Sequence, residues 1–569
     1  MIVPIWSSLA LVLLASNHAS LAASVSGSSG CYCFPGEACW PTARSWNDFN
    51  STVGGRLIAT TPIAAVCHGK TYDEARCNKL KDNWYFPETH LPSSSSVMAP
   101  IFSNNSCNPF SSPDAPCELG NYVSYAVRVR DAADARKTLQ FATNNRIRLV
   151  IRNTGHDYNG KSTGAGALSI WTTDMDSIKL IQSYRSPGYT GRALKLSAGV
   201  QVQSAYAFAD ANKGIVVGGN CPTVGIAGGL SQGGGHSPLA TKFGLASDQV
   251  LEWEVLLASG TVVTACPTKY SDLYWALCGG GGGTYGVVLS MTVKLHSPMR
   301  FSAAKLTFAM PATQDGGDRF WGAVKTFAQS LPKMIDNGLQ VTFTLVPGAL
   351  VVSPATGAGV SKATTDQLFD ATLKKLNGSS IPYQYSSQEF PSFLESYKTM
   401  NLPGSNVSDS ILGGRLLPRS SVEGNIDNFV ATLKFISESN YVVAGLALDV
   451  RQTPADRVAA NPYWRQTLIN AVIGTYYNYN DYESNLQAQR EMTTKIIPKL
   501  DILTGGNSAA YVNEANFLEP NWKQVFYGNN YQKLDQIKRT YDPKDTFYAL
   551  GAVGSDRWVL GSGGRLCRA

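Results

Sequence analysis

The chain has no block of basic residues. Its longest basic runs are pairs such as Lys374-Lys375, and its net charge is only +7 over 569 residues. That excludes the basic stripe expected of a nucleic-acid-binding surface. Beyond the first residues, no stretch reaches 18 apolar residues, so no mature membrane-spanning helix is expected. There is no Cys-x2-Cys pair and there are only six histidines, which leaves no zinc spacing and no metal site to assign. No repeat of 20 to 50 residues is present, which excludes a solenoid or propeller array. Charged residues are few, at 16%, against 44% apolar. That balance excludes a largely disordered chain.

What is present begins with a leader. Ile2 to Ala15 is mostly apolar, and Ser20-Leu21-Ala22 supplies the small residues of a signal-peptidase site. The reading is a signal peptide over residues 1–22, although its first residues carry no Lys or Arg. Four Asn-x-Ser/Thr sequons, at Asn50, Asn104, Asn377 and Asn406, fit a secreted glycoprotein. Eleven cysteines is an odd count, and seven of them lie between Cys31 and Cys117. In an oxidising compartment most should pair. Cys67 and Cys77 are ten apart, as are Cys107 and Cys117. Cys266 and Cys278 flank a short central segment, and Cys567 is placed to tie the tail back to the N-terminal region. Spacing leaves the connectivity open.

Composition divides the chain. Residues 23–118 are rich in Cys, Pro and Ser and read as a disulfide-stapled, loop-rich extension. A β-α-β opening follows. Val127 and Val129 alternate in a strand, and Asp131 caps a helix with apolar positions at Ala132, Ala135, Leu139 and Ala142. Ile147, Leu149 and Ile151 then alternate in a second strand. Glycine-rich sequence with β-like runs (Ile215–Val217, Val250–Leu257, Val262–Val263, Val287–Leu295) completes a unit over 119–299. Helical patterns at 320–331 and 365–376, between strands at 339–345 and 442–450, mark a second α+β unit over 300–510. Residues 511–569 have a texture of their own.

Two motifs mislead. Gly155 to Ser162 matches G-x-x-x-x-G-K-S, but a P-loop needs a helix directly after it, and Thr163-Gly-Ala-Gly-Ala-Leu-Ser-Ile-Trp171 is glycine-rich and then β-like. Gly281, Gly283 and Gly286 match G-x-G-x-x-G, but the order is helix, glycines, strand, the reverse of a dinucleotide-binding Rossmann unit. The third glycine-rich element, Gly218 to Gly235, costs backbone entropy over a short span. A ligand lying against the main chain is the natural reason for it, with tight turns in a β domain as the alternative.

Taken together, Arg152-Asn-Thr-Gly-His-Asp-Tyr158, Asn220-Cys-Pro-Thr-Val-Gly225, Gly233-Gly-Gly-His236, Leu245-Ala-Ser-Asp-Gln-Val250 and the glycine run to Val288 resemble the FAD-linked oxidases of the vanillyl-alcohol-oxidase superfamily. The branch they resemble is the berberine-bridge-enzyme-like one, in particular its secreted fungal isoamyl-alcohol-oxidase-like proteins. Tyr527-Gly-Asn-Asn-Tyr-Gln-Lys-Leu534 and Tyr541-Asp-Pro-Lys-Asp-Thr-Phe547 resemble that branch's C-terminal segment. The resemblance spans about 30–550. It implies an α+β fold: a PCMH-type FAD-binding domain of two α+β subdomains, and a substrate domain whose antiparallel sheet roofs the flavin, with 511–569 returning to the FAD domain.

The resemblance also implies site roles. FAD would be bonded to His156 at the 8α-methyl and to Cys221 at C6. Backbone N–H groups from Asn153, Thr154 and Gly155 to Asp157 would hold the pyrophosphate beside Tyr158, helped by Arg152. Thr223, Val224, Gly225, Gly228 and Gly229 would line the ribityl chain and ring, Gly286 and Val288 the adenine side, and Asn530 the flavin ring. A valine at 224 accompanies oxygen access in this family, because one more methylene can block a small pocket. Tyr511 and His236 are the candidate catalytic residues, and Glu514 is a substitute for a carboxylate base. A phenol, with pKa near 10, needs a cationic or hydrogen-bonding neighbour to serve as a base.

The expected activity is oxidation of an alcohol or related C–H centre, with O2 reduced to H2O2. The partners are then a small-molecule substrate and O2, with no nucleic acid or membrane. One alternative is an oxidase of a fungal secondary-metabolite pathway. Another is a secreted glycoprotein that keeps the fold for binding only. With Cys221 taken by flavin, the ten other cysteines suit five disulfides and a monomer.

Overall fold

The computed structural model describes residues 30–401 and 406–569, so the signal peptide lies outside the described residues. Three sheets carry the architecture. In the first, the order is Leu57–Ala59, Tyr125–Arg128, Leu168–Trp171, Leu149–Arg152. The first pair is antiparallel and the others are parallel. Helix Ala132–Asn144 carries the chain from Tyr125–Arg128 across to Leu149–Arg152, and the 153–167 loop returns it to Leu168–Trp171 between them. The Asp131 carboxylate accepts the N–H groups of Ala133 and Asp134, satisfying two of the helix's free donors. Ala135, Leu139 and Ala142 are buried, as their spacing predicts.

The N-terminal region is more regular than its composition suggests. Helix Ala43–Thr52 buries Trp46 and Phe49, and Phe49 stacks on Phe141 at 4.0 Å between ring centres. Strand Leu57–Ala59 is the edge of the first sheet.

The second sheet is antiparallel, with the order Ile178–Ser186, Tyr189–Ser197, Val287–Lys294, Val250–Leu256, Val262–Ala265. Val287–Lys294 at its centre is buried in all but its last residue. The run Ile215–Val217 forms no strand; its one pairing is a bridge from Ile215 to His296. Helix Ser271–Leu277 does precede the glycines, and no helix follows Gly155–Ser162, so both misleading motifs fail on structure as well.

The third sheet has seven antiparallel strands: Tyr383–Phe390, Phe301–Ala309, Ala349–Ala358, Leu339–Val346, Val442–Ala447, Thr467–Tyr476, Ser410–Pro418. Successive strand residues point to opposite faces. Val341, Phe343 and Leu345 join a core with Phe320, Phe327 and Leu331 of helix Gly316–Asp336 and with Phe429 and Leu433 of helix Ile426–Glu438. Thr342 is left for the other face. In register with it lie Leu446, Asn470 and Leu416, and beside them Ala444 and Val472.

The C-terminal segment closes onto the first sheet. Phe547 bridges Leu149, and Cys567 is bonded to Cys31. The buried Lys538 donates to Asp542 and to the carbonyls of Thr284 and Phe547. Three further disulfides join Cys33–Cys39, Cys67–Cys77 and Cys107–Cys117. This corrects the count of five. Cys266 and Cys278 remain free thiols, together with Cys221. Cys278 is a core residue whose sulfur takes the Trp253 indole N–H at 3.2 Å, and burial pushes its thiol up to about 12. A buried cysteine of this kind behaves as a small apolar residue rather than a bridge partner. Among the sequons, Asn104, Asn377 and Asn406 are exposed, while Asn50 is half-buried and its side-chain oxygen accepts the Leu57 N–H. No helix among the described residues is long and apolar enough to cross a membrane.

Candidate active site

A cavity of about 380 Å³ lies where the loop after strand Leu149–Arg152, the two glycine-rich segments and the free face of the seven-stranded sheet meet. Its walls include Leu149, Ile151, Val288 and Phe547 from the first two sheets and the C-terminal segment, and Thr342, Leu412, Ala444, Leu446 and Val472 from the third.

The 153–162 loop is fixed from beneath. Gly155 takes φ +88°, and a Cβ there would sit 2.5 Å from the Arg152 guanidinium. Only glycine lets that group pack so close. Arg152 is thus no surface cation. It is buried behind the loop, off the cavity wall, and donates to the Ser96 carbonyl at 2.7 Å. Asn153 donates to the Ala198 carbonyl, and the Thr154 hydroxyl accepts the Gly225 N–H at 3.3 Å. A Cβ on Gly225 would collide with the Asn153 side chain, so the glycine there lets the two loops interlock. Asp157 stays within its own loop, accepting from the N–H groups of Asn159 and Ser162 and from the Ser162 hydroxyl. Tyr158 lines the cavity, and burial raises its phenol pKa.

His156 and Cys221 come together. The His156 Nε2 is 4.0 Å from the Cys221 Sγ, and both contact the Thr223 hydroxyl, at 2.7 and 3.5 Å. Both line the cavity, and Thr223 stands behind them. Burial, then the charge of Arg152 and the nearby His90, holds the His156 imidazole down to about 4. It is therefore a neutral nucleophile at ordinary pH. Val224, Gly225, Gly228, Gly229, Gly286 and Val288 also line the cavity. At Gly229 a Cβ would meet nothing within 4 Å, so that backbone is open to a ligand.

A second cluster faces the same cavity. The His236 Nε2 is 2.8 Å from Glu514 Oε1, and Glu514 Oε2 accepts the Asn470 amide at 2.8 Å. The His236 Nδ1 is buried and has no partner among the described residues. The Tyr511 ring lies edge-on to His236, with centres 5.4 Å apart. The Tyr511 oxygen accepts the Asn513 amide at 2.7 Å. Burial and then the Glu514 charge push this phenol far up, outweighing the Asn513 hydrogen bond that favours its ionised form. Asn530 is not on the wall; its amide is committed to the carbonyls of Ala459 and Ala460. Reading the sequence alone misses Lys161, Asn470, Asn513 and the whole sheet face. Of these, only Lys161 sat in a recognisable motif.

The walls suit a dinucleotide. Buried polar atoms of Asn153, Asn159, Lys161, Asn220, Gln232 and His236 have no partner among the described residues, and a polar ligand in the cavity would supply one. The glycine backbones allow a close approach.

Comparison with known proteins agrees. Residues 123–265 match the FAD binding domain family, and residues 510–553 match the family described as berberine and berberine like. An FAD-linked oxidoreductase of Hypocrea jecorina, sor8, is 46% identical over 97% of this chain and 96% of its own length. The VAO-type flavoprotein oxidase VAO615 of Thermothelomyces thermophilus is 39% identical over 99% and 100%. The crystal structure of MtVAO615 from Myceliophthora thermophila C1 at pH 5.0 superposes with a TM-score of 0.89 and 39% identity, covering 95% of this chain and all of that one. A bifunctional decalin synthase of Penicillium decumbens, calF, is 38% identical over 95% and 96%. The chain is thus an FAD-dependent oxidoreductase, and it belongs to the VAO/BBE family of fungal FAD-linked oxidoreductases.

Proposed function

We propose that the protein is a secreted oxidase whose FAD is tethered twice, through His156 and Cys221, and which oxidises an alcohol carbon while reducing O2 to H2O2. The observation that carries this reading is the convergence of a neutral imidazole and a free thiol, 4.0 Å apart, on one cavity wall. Four disulfides and three exposed sequons support an extracellular setting. A tether also suits an enzyme that cannot recapture lost cofactor from dilute surroundings.

When bound, the flavin supplies the hydride acceptor. The chain supplies the rest. Glu514 accepts the His236 Nε2 proton, which leaves the Nδ1 lone pair free to take the substrate hydroxyl proton. Asn470 holds the far oxygen of Glu514 and so fixes its angle. Tyr511 remains protonated and orients the site rather than acting as the base. Leu412, Ala444, Leu446 and Val472 exclude water and offer an apolar surface to the substrate body. Val224 lines the cavity without the extra methylene that would narrow oxygen access.

The apolar sheet face also supports a second reading, an oxidase acting on a secondary-metabolite intermediate, in line with the decalin synthase among its relatives. Acid precipitation of the purified protein tests the tether: the yellow colour should stay with the pellet, and a colourless pellet under a yellow supernatant would refute it. A protein with no flavin would favour the binding-only alternative. A substrate panel with peroxide detection tests the activity, and slow reoxidation of the reduced enzyme by O2 would refute the oxidase.

A further inference from the structure

Lys161 belongs to the G-x-x-x-x-G-K-S match that fails as a P-loop, and it takes no part in the tether or the proton relay. Its side chain lines the cavity, and its Nζ is buried with no hydrogen-bond or ion-pair partner among the described residues. The one carboxylate that acts on it, Asp157, is already engaged by Asn159 and Ser162 of its own loop. A buried ammonium without a partner is strongly unfavourable. Burial pushes its pKa down, and an anionic group in the cavity that its side chain lines would complete it as an ammonium.

Its neighbours say where in the cavity that is. The Nζ lies 4.0 Å from where a Gly281 Cβ would be. The turn Gly281–Thr284 runs between two ends of the site. At one side, Gly282 packs on the Gly229 backbone, next to the segment carrying Cys221 and Val224. At the other, Lys538 bonds the Thr284 and Phe547 carbonyls together, and Phe547 stands with Leu149 at the apolar end. Lys161 is therefore placed beside the Gly281–Thr284 turn and within reach of the charge of Asp157, in the loop whose N–H groups 153–157 face the same cavity.

We propose that Lys161 is the counter-cation of the FAD diphosphate. The same residue type meets phosphates in a true P-loop, as a compact point charge, but here it reaches them from a loop that leads into a strand. The backbone N–H groups of the 153–157 loop and the Lys161 ammonium would then share the two phosphates. This assignment rests on FAD occupying the cavity and not on its tethering, which acid precipitation reads separately.

The test removes both tethers (His156→Ala with Cys221→Ala) and compares binding of FAD and riboflavin, which has no phosphate, with and without Lys161→Met. Loss of one hydrogen-bonded charge should raise the FAD dissociation constant about 10- to 100-fold. The riboflavin constant should stay put, and Lys161→Arg should restore most of the FAD affinity. No change for FAD would overturn the proposal. Equal weakening for both ligands would also overturn it, by placing the ammonium at the ring. If the untethered chain does not hold flavin, phosphorus NMR of the holoenzyme decides. Lys161→Met should shift the diphosphate resonances, and unmoved resonances would overturn the assignment.

Discussion

Replacing Glu514 by Gln is a near-isosteric change that should disable proton transfer. The carboxylate accepts at both oxygens, from His236 and from Asn470, at 2.8 Å each. A glutamine has one acceptor and one donor end. If its oxygen keeps Asn470, its NH2 faces the His236 Nε2. That nitrogen must then become the acceptor, and the proton moves to Nδ1, where the base is needed. If its oxygen keeps His236, its NH2 meets the Asn470 NH2. A buried donor left unsatisfied costs about 1–3 kcal/mol. With the Asn470 amide held in its present orientation, the competent tautomer is therefore depleted about 5- to 150-fold. His236→Ala, which removes the base itself, should cost about 100- to 10,000-fold. Anaerobic stopped-flow reduction of the flavin by a turnover-competent alcohol reads the step directly, and the flavin content of each variant controls for folding. The double variant E514Q/N470D adds a sharper check. The carboxylate introduced at position 470 can accept the NH2 of the glutamine introduced at position 514. That frees the glutamine's oxygen for the His236 Nε2–H and restores the tautomer. A reduction rate in Glu514→Gln within about threefold of wild type, well below the general-base contribution, would refute the relay. So would an E514Q/N470D double variant no faster than the single one.

Three other outcomes follow from the structure. Thiol titration of the denatured holoprotein should find two thiols, Cys266 and Cys278, and a third only where Cys221 carries no flavin; three thiols in the fully yellow protein would contradict the second tether. Gly225→Ala should drive its new methyl into the Asn153 side chain and give a flavin-poor protein, whereas full flavin content would show that the loops separate easily. His90 and His296 are each held to about 4, below the usual 6.5, by burial and then by the nearby charges of Arg152 and Lys294. Each is neutral in the fold and takes a proton on unfolding below pH 6.5. Their contribution is thus complete above pH 6.5 and is lost as pH falls toward 4, by up to about 3 kcal/mol each. Denaturant midpoints at pH 7 and 4.5 should show the loss, and equal midpoints would contradict it.

Local rules carried much of the fold. The Asp131 cap and the 3.6-residue spacing placed helix Ala132–Asn144 almost to the residue, because those signals act within a few positions. They failed where the deciding partner is distant. Helix Ala43–Thr52 hides in Cys- and Pro-rich sequence and is organised by Trp46 and Phe49 packing on Phe141, which sequence spacing cannot show. Ile215–Val217 has strand composition but finds a single bridge. The even remainder of ten cysteines suggested five disulfides, yet Cys278 is a core side chain beside Trp253 and needs no partner.

The site divides along the same line. Its glycine-rich backbone is legible, although the structure gives two of the glycines protein reasons: Gly155 makes room for Arg152 and Gly225 for Asn153, while Gly229 is open to a ligand. Its chemistry is not legible. His236 and Glu514 are 278 residues apart, and Asn470 is an unremarked strand residue until the sheet register sets it beside Leu446. Tyr511 is a candidate because the resemblance puts an active-site tyrosine there, but its burial and then the Glu514 carboxylate beside it, neither legible in the sequence, hold its proton on. Lys161 shows the same dependence in reverse. Its motif named a phosphate-binding lysine and the following sequence rejected the fold that goes with it. Both statements stand, because a point charge needs only a buried position facing the ligand, while a P-loop also needs a helix behind it.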